Sequence, residues 1–270
     1  RMGRYNEHME IPGFFKVRIN TLIPGKPTTF DLHLRLNNQI ITYLRAGDKI
    51  DQEKISVLTT RDSGHFFLVK EEDRKHYKTY VHSHLVSSDL SVLEKAQLLR
   101  ESSMTLVEEI FENPDVNKAL DQSRPVITQF VEFMEAEPSA MAHLISLSGH
   151  DFYTYNHSLD VSIYSLGLAG AMGYTKTDLE EMGIAALFHD IGKRQVSLDI
   201  LCKKGPLNDA EWAQMQKHPQ FGLLILKENP NVSDAVKAAC FEHHESWAGN
   251  GYPQQLIGDE IHPFARIVAI

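Results

Sequence analysis

Residues 184–194 read "IAALFHDIGKR". Ile184 to Phe188 form an apolar run that reads as a buried helix. His189 and Asp190 close that run side by side, with Gly192 and Lys193 straight after. A segment that only filled a core would have no use for this quartet. Two readings stand open on these residues alone. In one, Gly192 terminates the helix and Lys193 sits near its negative end. In the other, His189 and Asp190 hold a metal ion. Adjacent helical positions diverge by about 100°, so both reach one ion only if it lies at the helix edge. The two carboxylate oxygens also allow Asp190 to bridge two ions.

More histidines follow the same plan. His157 stands in "YTYNHSLDV", with Val161, Tyr164 and Leu168 after it at helical spacing. That spacing places His157 near the inner face of a helix, where taken alone it is a core histidine. His218 stands in "EWAQMQKHPQFG" and His243-His244-Glu245 in "AACFEHHESWAGNGYP". Two adjacent histidines closing an apolar segment are hard to explain as solvated surface. Five histidines and an aspartate thus lie at or near predicted helix ends within about 90 residues. Mixed His/Asp ligation without thiolate suits iron, manganese, nickel or zinc with open positions for water. A bridging carboxylate suits two metals, a pair that polarises phosphoryl oxygens and holds hydroxide as a nucleophile. Lys193 would then face a substrate phosphate as a point charge. "GNGYP" (Gly249 to Pro253) reads either as a plain turn or as a mobile lip over the site. In the second case Tyr252 offers a ring and a hydroxyl to a base or phosphate.

The rest of the chain sets the frame. Its 270 residues are 42% hydrophobic and 23% charged, enough for a sizeable core in one large domain or two ordinary ones. A net charge of −9 disfavours a general nucleic-acid binder and so DNA, but leaves room for a small anionic substrate held by metals. Two cysteines in no paired motif, Cys202 and Cys240, suit a reducing compartment. No membrane-spanning run is evident, and the opening "RMGRYNEHMEIPG" lacks the apolar core of a signal peptide. A cytoplasmic location is expected.

The hydrophobic period divides the chain, and the expected fold class is α+β. Residues 14 to 70 look β-rich, in "FFKVRI", "TTFDLHLRL", "QIITYL" and "HFFLV". Turn clusters separate them at Pro24-Gly25, Asn37-Asn38, Ala46-Gly47-Asp48 and Asp62-Ser63-Gly64. Alternation puts Phe30, Leu32, Leu34 and Leu36 on one face of a half-solvated sheet. Near residue 88 the period becomes helical. Ser91 and Glu94 offer a capping box, and Leu99, Leu106, Val107, Ile110 and Phe111 share a helical face. Asn113-Pro114 ends that helix and starts another. "RPVITQFVEFMEAEP" and "SAMAHLISL" continue the helical reading. The division expected is a β-rich domain over 1–88, a helical connector over 89–138 and an all-α domain over 139–270.

The order His157, His189-Asp190-Ile191-Gly192-Lys193, Lys217-His218-Pro219, His243-His244-Glu245, Gly251-Tyr252-Pro253 resembles the HD-GYP family. That family is a branch of the HD-type metal phosphohydrolases. The likeness runs from about residue 139 to 270 and includes "ILCKKGPLNDAEWAQMQKHPQFG" and "IHPFARIVAI". It implies an HD-type helical bundle, a two- or three-metal centre, usually of iron or manganese, and hydrolysis of cyclic di-GMP to pGpG and sometimes to GMP. Carried over by position, His157, His189 and Asp190 would take one metal. His218, His243 and His244 would take the second, with Asp190 bridging and a hydroxide between the ions. Lys193 would contact the scissile phosphate, and Gly251, Tyr252 and Pro253 would form the substrate loop. That loop is also where protein partners would dock, and a homodimer is compatible with the family.

The chain departs from the family pattern at four places. Tyr153 stands where some members carry a glutamate for a third metal, so two metals are expected. Leu198-Asp199 behind Ser197 replaces the usual Pro-Asp. Ser246 and Ala248 replace an arginine and an aspartate. Members continue beyond "ARIVAI" with an aspartate for the first metal and basic residues for guanine, whereas the sequence here runs from Arg1 to Ile270. It is therefore expected to be part of a longer protein, and a chain complete at Ile270 would be short of one ligand. Two other functions stay open. One is hydrolysis of another cyclic dinucleotide such as cyclic GMP-AMP. The other is a degenerate module that binds metal or nucleotide and signals through protein contacts. The amino-terminal domain is expected to sense or regulate, by architectural analogy.

Overall fold

The computed structural model describes residues 11–36, 39–60, 66–112, 115–148 and 154–270. The chain divides into two compact units, residues 1–105 and 106–270. In the first, β1 (Phe14–Arg18), β2 (Leu32–Leu36), β3 (Gln39–Leu44) and β4 (Phe66–Lys70) form one antiparallel sheet in the order β1-β4-β2-β3. Pairing runs from Phe14↔Lys70 to Arg18↔Phe66 on one side and from Leu32↔Leu44 to Leu36↔Gln39 on the other. Gly25 and Gly47 take positive φ in the turns the sequence marks there. Asn37-Asn38 and Asp62-Ser63-Gly64 lie outside the described residues.

Three helices complete this unit: α1 (Gln52–Thr60), α2 (Arg74–Leu85) and α3 (Val92–Glu112), whose last turns pass into the second unit. α3 lies where the period reads as helical, while α1 and α2 make residues 1–88 more helical than their β-rich reading. Tyr77, Tyr80 and Val81 of α2 join Phe15, Val17, Phe30, Leu32, Phe67 and Val69 of the sheet region in one core. Each such side chain contributes roughly 1.5–3 kcal/mol on burial. The expected alternation holds only in part. Phe30 and Leu32 are buried, but Leu36 is exposed and His33 is buried beside Leu32. A bulge between Leu32 and His33 changes which side chains face inward. The Ser91–Glu94 capping box forms, with Ser91 N donating to Glu94 Oε2 at 2.8 Å and Glu94 N to Ser91 Oγ at 3.3 Å. Leu99 and Val107 of the expected face of α3 are buried, while the side chains of Ile110 and Phe111 lie outside the description.

The second unit is helical: α4 (Val116–Ala136), α5 (Ala140–Leu147), α6 (Thr154–Ala171), α7 (Lys176–Phe188), α8 (Leu198–Leu201), α9 (Asp209–Met215), α10 (His218–Lys227), α11 (Asp234–Glu242) and α12 (Pro263–Val268). Asp115 caps α4 by accepting from Asn117 N and Lys118 N. The turn expected at Asn113-Pro114 lies outside the described residues.

α7 is the central helix. Thr175 and Asp178 cap its start, and Met182 to Phe188 are all buried. It packs on α4, α6 and α11. Small residues set these distances: a Cβ on Gly183 would lie 2.4 Å from Ile127 of α4. Ser162 of α6 donates to Gly183 O at 3.0 Å. Because α6 turns Ser158, Ser162 and Ser165 inward with Leu159, Ile163, Leu166 and Ala169, its inner face is not the one the spacing of Val161, Tyr164 and Leu168 suggested. Tyr164 is exposed. Among the described residues no helix is long and apolar enough to cross a membrane.

Candidate metal centre

The ends of α7, α10 and α11 and the first turns of α6 meet at one place. α7 stops at Phe188, His189 is its C-cap, and Asp190 has already left the helix at φ −100° and ψ 10°. This departure lets two adjacent side chains converge, with His189 Nε2 3.2 Å from Asp190 Oδ2. Gly192 lies inside a short 3-10 turn, Ile191–Gln195, and is not a left-handed terminator. Its role is close approach: a Cβ there would lie 1.9 Å from His218 O and 2.4 Å from Gly222 N. The bare backbone brings α10, and His218 at its start, against the HD segment.

Asp190 sits at the middle, 2% exposed. Its Oδ2 is 3.2 Å from His189 Nε2, 3.7 Å from His157 Nε2 and 2.6 Å from Lys193 Nζ. Its Oδ1 is 3.2 Å from His218 Nε2 and 3.6 Å from His243 Nε2. The side-chain donor atoms of Asp190, His218, His243 and His244 all lie within 4.8 Å of one another, and those of His157, His189 and Asp190 do likewise. All six candidate ligands of the sequence reading are thus brought together as two groups sharing Asp190. His157 reaches the cluster from an exposed position, whereas His189, His218 and His243 are buried.

Three of the imidazoles are oriented by one device. His189 Nδ1 donates to Ala186 O at 2.6 Å, His218 Nδ1 to Met215 O at 2.8 Å and His243 Nδ1 to Cys240 O at 2.9 Å. In each case the acceptor is the carbonyl three residues back, in the last turn of α7, α9 or α11, where helix carbonyls lack their usual partner. A carbonyl cannot donate, so each Nδ1 carries a proton and each ring turns its Nε2 inward, where it offers a lone pair to a metal when that nitrogen is deprotonated. His218 Nε2 and His243 Nε2 face each other at 3.1 Å. Asp190 Oδ1, buried beside them, has no hydrogen bond. Converging lone pairs and an orphaned carboxylate oxygen are unfavourable unless a cation lies between them. The donor set therefore fits divalent metal ions.

Burial keeps the ligands in the state a metal needs. It lowers His243 to about 4 and His244, also repelled by His243, to about 3. His157 is lowered too, by its partial desolvation at the cluster and then by charge on His189. Burial alone would raise the Asp190 carboxyl, but the surrounding imidazoles, His189 first, hold it well below the usual carboxylate range.

The Gly-Tyr-Pro segment borders the site. The Tyr252 ring stacks on His244 at 4.7 Å and 18°, and Trp212 of α9 meets Tyr252 edge-on at 6.3 Å. Burial pushes the Tyr252 hydroxyl up to about 12, helped by the Asp190 charge. The segment is tied down rather than hung as a free lip: Tyr252 N donates to His244 O at 3.1 Å. A Cβ on Gly251 would lie 2.3 Å from Ser246 N. Ala186, Met215 and Gly222 were not singled out by sequence reasoning, and Cys240 was noted only as an unpaired cysteine. Three of them act through backbone carbonyls, which carry no residue-type signal; position in a helix's last turn was the available clue. Tyr153 lies outside the described residues.

Comparison with known proteins places this geometry. The HD-domain family matches residues 139–270. A cyclic di-GMP phosphodiesterase of Pseudomonas aeruginosa, PA4108, is 32% identical over 180 residues, covering 66% of this chain and 44% of that protein. The 3'3'-cGAMP-specific phosphodiesterase 2 of Vibrio cholerae is 29% identical over 221 residues, covering 81% of this chain and 39% of its own length. The chain spans less than half the length of either relative. Among solved structures, Bd1817, an HD-GYP-type protein of Bdellovibrio bacteriovorus, superposes with a TM-score of 0.72 over 95% of this chain and 85% of that one, at 22% identity. With the motifs, the helical site and these matches in agreement, residues 139–270 form an HD domain.

Proposed function

We propose that this chain is the catalytic part of a metal-dependent phosphodiesterase that hydrolyses cyclic di-GMP at a 3′ phosphodiester, giving pGpG and, after a second cleavage, GMP. The observation that carries the reading is the inward convergence of His218 Nε2, His243 Nε2 and the unpartnered Asp190 Oδ1. His157, His189 and Asp190 would hold one divalent ion; His218, His243 and His244, with Asp190 shared, would hold a second. The resemblance to the HD-GYP family points to iron or manganese, and the thiolate-free donor set equally accepts zinc or nickel. Such ions, when bound, polarise a phosphoryl oxygen and lower the pKa of water.

The chain's own groups supply the rest. Ala186, Met215 and Cys240 carbonyls fix the tautomers, so no imidazole must turn during the reaction. Asp190 stays ionised between the two groups. Lys193, 2.6 Å from Asp190 Oδ2, brings a positive charge to where negative charge grows on the phosphate. The Tyr252 hydroxyl stays protonated at neutral pH and is a donor to substrate oxygen, while its ring offers a stacking face. The compact unit that precedes the HD domain is proposed to regulate it, with residues 1–88 as sensor and 89–138 as helical connector.

Hydrolysis of 3'3'-cGAMP is the second reading, because three Vibrio cholerae relatives named for that activity match at 29%, 40% and 30% identity. The test is reconstitution with ferrous iron or manganese, a count of metal per chain, and chromatography of products from each cyclic dinucleotide. Two metals per chain with pGpG release supports the first reading. Tight nucleotide binding without turnover in a metal-loaded full-length protein overturns it in favour of a signalling module.

A further inference from the structure

Glu245 follows His243 and His244 directly, yet its carboxylate turns away from the metal cluster. It is 7% exposed, and both oxygens are engaged by backbone: Gln254 N donates to Oε1 at 2.6 Å and Leu256 N to Oε2 at 3.0 Å. Among the described residues no cationic side chain forms an ion pair with it. A buried carboxylate bound in this way is held by charge-assisted bonds to a loop and to little else. The loop so gripped is the one that carries Tyr252. Its start is fixed by Gly249 N to Ser246 O at 2.8 Å and its middle by Tyr252 N to His244 O at 3.1 Å. Ala248 and Ile257 bridge across it. Beyond Pro253 the two bonds to Glu245 bring the chain back toward the double-histidine segment.

We propose that Glu245 is a positioning residue for substrate: it locks the Gly-Tyr-Pro loop onto the His243-His244 segment, so that the Tyr252 ring stays stacked on His244 at the edge of the metal site. Ordering the loop in advance removes an entropic cost from substrate binding. The proposal rests on the phosphodiesterase reading for its substrate, but its structural half stands apart from it. Glu245 acts through Tyr252 and touches neither metal nor substrate.

The test uses the metal-loaded protein and Glu245→Gln, which keeps the shape but presents an amide N–H₂ to a backbone N–H and so loses one of the two bonds. Hydrogen exchange across residues 246–257 should speed up while metal content per chain stays at the wild-type value. The KM for cyclic di-GMP should rise about tenfold, the worth of one hydrogen bond to a charged group, and kcat should fall less than threefold. Tyr252→Ala should raise KM at least as much, and the double variant should be no worse than Tyr252→Ala alone. Unchanged exchange or unchanged KM overturns the proposal. Parallel loss of metal and kcat also overturns it, assigning Glu245 to support of the metal pocket. If Glu245→Gln does not fold, Glu245→Asp serves, since it keeps the charge but is too short to span both amides. If the wild-type protein turns over no cyclic dinucleotide, the functional reading fails, and the exchange measurement alone decides whether Glu245 locks the loop.

Discussion

Replacing Gly192 by alanine tests the packing that builds the candidate metal centre. The new Cβ would fall 1.9 Å from His218 O and 2.4 Å from Gly222 N. Both are backbone atoms of α10, so no side chain can swing aside. Ordinary contact begins near 3.4 Å, so the 3-10 turn and α10 must part by roughly 1.5 Å. That is about half of the 3.2 Å between His218 Nε2 and Asp190 Oδ1. Overpacking of this kind costs about 1–3 kcal/mol, or roughly 2–10 °C in Tm for a chain of this size. Metal affinity should suffer more, because His218 leaves the position its Met215 bond sets; a loss of roughly 10–100-fold is expected. The assay pairs a thermal melt followed by circular dichroism with a metal titration of the purified protein. Gly170→Ala is the control: its Cβ would meet only Met134 Cε, at 3.8 Å, so the melt should hold or rise through better helix propensity. Wild-type Tm and metal affinity in Gly192→Ala would refute the reasoning.

Other expectations follow from the same geometry. Changing His189 and Asp190 together to alanine should abolish metal loading and leave the helical signal nearly intact; two metals per chain in that variant would show the ligand set to be wrong. Lys193→Ala should cut turnover more than metal content, and equal loss of both would make Lys193 structural. The metal-free protein should lose stability on acidification. The folded His243 titrates near 4 against about 6.5 unfolded, so the unfolded chain binds protons first and stability falls as pH drops from about 6.5 toward 4. Between pH 7 and 5 that one group accounts for roughly 2 kcal/mol, read as a falling urea midpoint. The fall should be smaller in His243→Asn, and an equally steep fall there would assign it to other groups.

Much of this was legible in the chain because it rests on local chemistry. The apolar run before His189 had to be buried, and Ser91 with Glu94 had the spacing of a capping box that then formed. The six candidate ligands were visible as residue types that serve little purpose in a plain core, placed where helices end. The α1 and α2 helices were harder to see, because the β-branched and aromatic segments around them dominate the pattern. The inner face of α6 was misread because its packing is made by Ser158, Ser162 and Ser165. Small polar residues pass for a solvent face in a hydropathy pattern, yet here they let helices approach closely.

The sequence by itself determined the α+β class, the helix that ends in His189-Asp190, and the set of side chains able to hold metal. Those follow from periodicity, capping and donor chemistry, all local. Only the tertiary structure decided that Asp190 is shared between two histidine groups, that Gly192 is bare to admit the His218 backbone, and that Glu245 clasps the amides of Gln254 and Leu256. These depend on which helix ends meet in space, and on backbone carbonyls and amides that every residue carries and no sequence distinguishes.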